Sequence, residues 1–86
     1  MPKKVKQTLY PNLSEPLTRE SLGQAIRAKR TSAHLRLEDA AMLCGVAKET
    51  LSKIEKAKPG IRLESVLKVC KNLGLELILK NRGTSS

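Results

Sequence analysis

Tryptophan and phenylalanine are absent from the 86-residue sequence, and Tyr10 is its one aromatic residue. A core without large rings must be aliphatic, which suits small packed helices better than β-sandwiches. The same absence argues against single-stranded RNA as a ligand, because that partner is commonly held on aromatic stacking platforms. Acidic residues are also scarce. Eight Asp and Glu stand against seventeen Lys and Arg, leaving a formal charge of +9 and favouring a polyanionic partner, either nucleic acid or an anionic membrane surface.

No uninterrupted apolar run approaches the ~20 residues that cross a bilayer, and no signal-peptide core follows Met1, so a cytoplasmic protein without a membrane partner is expected. Cysteine and histidine are sparse as well: Cys44, Cys70 and His34 are the full set, with none of the short spacings that zinc sites use. There is no phosphate-cradling glycine loop and no nucleophile with an obvious base. The chain is therefore expected to be no enzyme and to hold no metal or cofactor. Its length allows one small domain, marginal alone and strengthened by pairing with a copy of itself.

What is present is ordered helical patterning. Residues 1–17, with Lys3, Lys4, Lys6, Pro11 and Pro16, read as a flexible basic arm. Thr18 can cap a first helix over 18–32, with Leu22, Ala25 and Ile26 at helical spacing. A short second helix, 37–44, carries Leu37, Ala40, Ala41 and Cys44 on one face and ends at Gly45. A third starts at Lys48, turning Leu51 and Ile54 inward with Val46, and Lys48, Glu49, Ser52 and Lys53 outward.

After the break at Pro59 and Gly60, the residues Leu63, Val66, Leu67, Cys70 and Leu73 predict the buried face of a fourth helix that ends at Gly74. The alternating Leu75, Leu77 and Leu79 suit a strand over 75–80. No second strand is available within the chain, so this strand is expected to pair with its own copy. Residues 81–86 read as a disordered tail. Cys44 and Cys70 fall on inward faces and are expected as buried free thiols, while His34 falls in a surface loop.

Two short helices joined at Gly45 and Val46 within a basic domain form the arrangement that lets a second helix enter the DNA major groove. The stretch 22–75, containing LGQAIRAKR, LEDAAMLCGVAKETLSKIEKAK and LESVLKVCKNLGL, closely resembles the phage-repressor and Cro-like (Xre) helix-turn-helix family. Ala41, Gly45, Val46, Thr50, Leu51, Ser52, Ile54 and Glu55 carry the most specific part of the match. The resemblance implies an all-α, four- to five-helix lambda-repressor-like DNA-binding domain over 18–74, acting as a bacterial transcriptional repressor on a pseudo-palindromic operator of double-stranded DNA.

By position on the third helix, the resemblance nominates Ala47, Lys48, Glu49, Thr50, Ser52 and Lys53 as base-contacting. Lys48 can donate to guanine, Glu49 can accept from cytosine, and Ala47 can touch a thymine methyl. Phosphate contacts are expected from Arg36, Lys53, Lys56, Lys58 and Arg62. Arg30 and Glu55 match a family pair tying the first helix to the end of the third, a structural ion pair. The sequence departs from the family where Arg36 and Leu37 replace a small hydroxyl residue and Gln, where Ala47 replaces a capping Ser or Thr, and where Ala57 replaces a turn Gly.

The ending NLGLELILK resembles the HipB branch, whose C-terminal strands pair across a homodimer, nominating Leu75, Leu77, Ile78 and Leu79 for dimerisation. That likeness implies an antitoxin that represses its own operon and partners a HipA-like kinase toxin. Met42 and Leu43 stand where the family usually carries polar residues, and apolar neighbours there suit a surface for the toxin or an accessory protein. A stand-alone phage-type repressor and a protein-interaction module with weak, non-specific DNA binding are the alternative readings.

Overall fold

In a computed structural model, which describes residues 8–83, the chain forms α1 (Arg19–Ser32), α2 (Leu37–Cys44), α3 (Lys48–Glu55) and α4 (Leu63–Leu73). The helix limits follow local chemistry. Thr18 closes a reciprocal cap with Ser21: the Ser21 N–H donates to Thr18 Oγ1 at 3.0 Å, and the Thr18 N–H donates to Ser21 Oγ at 2.9 Å. Gly45 and Gly74 take left-handed φ values of 70° and 81° and end α2 and α4.

Ile26, Ala40, Ala41, Cys44, Leu51, Ile54, Val66, Val69, Cys70 and Leu73 form the buried core. Every one is aliphatic or sulfur-bearing. The small side chains of Ala40 and Ala41 let α3 and α4 both pack against α2, while α1 lies across α3 and α4. Cys44 and Cys70 are buried free thiols. Burial pushes both above the ordinary thiol value, and the neighbouring Cys44 adds to the shift at Cys70.

The buried face of α4 differs from the expected one. Val66, Val69, Cys70 and Leu73 point inward, whereas Leu63 and Leu67 remain 67% and 48% exposed. Both stripes have helical spacing. The core selects the one centred between α1 and α2, where Cys44 also packs, its thiol 3.8 Å from the Val69 carbonyl.

The expected strand over 75–80 is not present, and there is no strand among the described residues. Leu75 instead serves its own chain: its N–H donates to the Cys70 carbonyl at 2.8 Å, and its side chain packs against the core beyond Gly74. Leu77 borders an apolar cleft of about 240 Å³ shared with Leu17, Leu22, Ile54, Ile61 and Leu63. Ile78 and Leu79 are exposed. A strand needs a partner for its ladder, and none lies beside this segment among the described residues.

The segment before α1 runs back along that helix. Gln24 Nε2 donates to the Leu9 carbonyl at 2.9 Å, and the Thr8 N–H donates to Thr31 Oγ1 at 2.9 Å. Lys3, Lys4 and Lys6, and the tail from residue 84, lie outside the described residues. No described helix is long and apolar enough to cross a membrane.

Candidate nucleic-acid interface

Helix α3 is held against α2 by one sharp turn. The Val46 N–H donates to the Ala41 carbonyl at 3.0 Å, and Lys68 from α4 reaches the Gly45 carbonyl at 3.4 Å. Leu51 and Ile54 anchor the inner face of α3 in the core. By the same periodicity Lys48, Glu49 and Lys53 stand exposed, Thr50 and Ser52 are half-buried, and Ala47 is exposed just ahead of the helix. The six nominated base-contacting positions thus occupy α3 and its N-cap, with three charged side chains facing solvent.

The far end of α3 is fixed by a buried ion pair. Arg30 Nε meets Glu55 Oε2 at 2.6 Å and Nη2 meets Oε1 at 2.9 Å, while Nη1 donates to the Leu35 carbonyl at 2.8 Å. The two side chains are only 10% and 8% exposed. One guanidinium therefore ties the end of α1, the loop leading into α2 and the end of α3 into one rigid unit.

Three helix starts share a feature. Arg36, Ala47 and Arg62 are the N-cap residues of α2, α3 and α4, and none makes a side-chain capping bond. The N–H groups of the first turns of α2 and α3 are left for another acceptor, since the first helical bonds are Ala40 to Arg36 and Leu51 to Ala47. Among the described helices, α1 alone is capped by a side chain. Uncapped N-termini with positive dipole ends suit phosphate oxygens.

The nominated phosphate-contacting cations are all exposed, but they are not equivalent. Lys53, Lys56, Lys58 and Arg62 make no ion pair among the described residues. Arg36 lies 3.1 Å from Asp39 Oδ2. Its hydrogen bond to Asp39 and the charges of Asp39 and Glu38 raise the guanidinium above its ordinary value. That geometry makes it the least free of the five.

Ala57 occupies a left-handed position, φ 59°, just beyond Lys56, the C-cap of α3. The Lys58 N–H closes onto the Lys53 carbonyl at 3.0 Å around it, a helix stop that glycine fits without a Cβ clash. Ala57→Gly is expected to stabilise the domain by about 0.5–1 kcal/mol, read as a rise of a few degrees in thermal midpoint. An unchanged or lowered midpoint would show that the turn is unstrained.

Met42 and Leu43 are both exposed on α2, next to the buried Cys44. One structural residue escaped the sequence reading: Gly23 lies where α1 touches the end of α3. Leu37, expected on the inner face of α2, packs on the core and also borders the groove between α2 and α3. A glycine inside a helical pattern is the signal that could have exposed Gly23. No metal-binding cluster of His, Cys, Asp and Glu occurs among the described residues.

A helix-turn-helix family model, HTH_3, matches residues 26–79. Among solved structures, a HipB–O4 20mer complex is similar in fold at TM-score 0.69 and 19% identity, covering 79% of this chain and 96% of that one. A HipA–HipB–O2–O3 complex matches to the same extent. The clp gene regulator ClgR from Corynebacterium glutamicum aligns at 33% identity and TM-score 0.62, covering 73% of this chain and 81% of that one. The restriction-modification controller protein C.AhdI from Aeromonas hydrophila aligns at 28% identity and TM-score 0.60, covering 67% and 88%. No curated protein matches the chain in sequence.

Proposed function

Because the chain belongs to the Xre-type helix-turn-helix family and is a DNA-binding transcriptional regulator, we propose that it is a homodimeric, sequence-specific repressor of its own operon. Two copies of α3 would enter successive major grooves ~34 Å apart on a pseudo-palindromic site. The observation that carries this reading is the placement of exposed Lys48, Glu49 and Lys53 on a helix rigidly buried along its other face. Ala47, Lys48, Glu49, Thr50, Ser52 and Lys53 read bases, and the uncapped helix starts with Lys53, Lys56, Lys58, Arg62 and Arg36 hold the flanking phosphates.

Dimerisation uses the segment after Gly74. Leu77, at the edge of an apolar cleft, and Ile78 and Leu79 after it are left unburied, and pairing with a second copy would satisfy both the side chains and the backbone there. Removing residues after Gly74 is expected to give a monomer in analytical ultracentrifugation and to weaken operator binding by tenfold or more. A truncated chain that remains a dimer would refute this geometry.

The HipB-like fold and the ending NLGLELILK favour a finer role, that of antitoxin to a HipA-like kinase, with Met42 and Leu43 as the surface offered to the toxin. Copurification of the chain with the product of an adjacent kinase-like gene tests this role. Loss of that copurification when Met42 and Leu43 are both charged would place the contact on α2.

A further inference from the structure

A shallow groove of about 330 Å³ lies between the start of α2 and the outer face of α3, lined by Leu37, Lys48, Glu49, Ser52 and Lys53. Leu37 is the one apolar side chain in that lining. It is half-buried, resting against the core with one side while bordering the groove. Neither flanking N-cap covers it with a capping bond, since the Ala47 side chain is a bare methyl and Arg36 is engaged with Asp39.

Around Leu37 the groove presents ammonium, carboxylate and hydroxyl groups, all able to bond to phosphate oxygens or base edges. A leucine can do neither. Among the groups that a base pair displays in the major groove, the apolar one is the C5-methyl of thymine. Leu37 packs on the core with one side and with the other borders the groove beside Lys48 and Ser52. We propose that Leu37 is a specificity-determining residue that receives a thymine methyl within each half-site. This assignment rests on the reading of α3 as the major-groove element, and it makes α2 a contributor to base recognition.

The test uses the full chain and a duplex enriched by selection from a randomised pool. Each thymine is replaced in turn by deoxyuridine, which lacks only the methyl. At one symmetry-related pair of positions binding is expected to weaken about fourfold per half-site, or some fifteenfold with both halves changed, the value of one buried methyl group. Leu37→Gln should bind the thymine and uracil duplexes equally at that position. Leu37→Met, which keeps an apolar side chain of similar volume, should retain the preference, with circular dichroism establishing that both variants fold. A scan that is flat at every position, or a preference that survives in Leu37→Gln, overturns the assignment and leaves the repressor reading standing. Failure to enrich any sequence overturns both.

Discussion

Gly23→Ala is expected to lower stability by about 2–3 kcal/mol and the thermal midpoint by roughly 10–20 °C, although alanine is the better helix former. A Cβ at this position would stand 2.5 Å from the Ile54 carbonyl oxygen and 2.8 Å from that of Glu55. Both are backbone atoms, so no rotamer change can relieve the overlap. The two helices must separate instead, and the shift falls at the end of α3, where Glu55 pairs with Arg30. Thermal melting of this variant checks the prediction, and a midpoint within a few degrees of the parent would show that α1 and α3 can part freely.

Loss of Glu55 is expected to be at least as damaging. Glu55→Ala strands the Arg30 guanidinium at a site where the side chain is 10% exposed, and breaking one partner of a buried pair costs about 3–5 kcal/mol. Much of that cost comes from the charge left behind. The double variant Arg30→Met, Glu55→Leu should therefore recover a large part of the loss in urea denaturation, although the Leu35 carbonyl also loses its donor. Equal destabilisation by the double and the single variants would mean that the pair acts mainly through its hydrogen bonds rather than by compensating charge.

These two sites show where sequence reading succeeds and where it stops. The limits of α1, α2 and α4 are legible because Thr18, Gly45 and Gly74 act within a turn of their own position. The inner face of α3 is legible because Leu51 and Ile54 leave no competing stripe. In α4, by contrast, Leu63 and Leu67 compete with Val69 for the core, and only the directions of α1 and α2 decide between them. The segment 75–80 alternates as a strand should, yet a ladder also needs a second strand beside it, and no described residue of the chain supplies one.

The candidate site divides in the same way. The exposure of Lys48, Glu49 and Lys53 follows from helical period. That Arg36 is drawn to Asp39, three residues ahead on the first turn of α2, depends on the geometry of the α2 start. The spacing of Leu37, Ala40, Ala41 and Cys44 puts Leu37 on the inner face of α2, but that it also borders the groove beside Lys48 depends on how α2 and α3 sit together.

On the proposed function, α3 reads sequence rather than merely attracting DNA. Fluorescence anisotropy with the duplex from upstream of the protein's own gene and a shuffled control, each titrated across a salt series, tests it most directly. Affinity for both should fall with salt as phosphate contacts release counterions. A preference of about 10³-fold for the upstream duplex that persists as salt rises is the predicted result. Equal, salt-labile binding to both duplexes would contradict the account and leave a basic helical domain that binds DNA by charge alone.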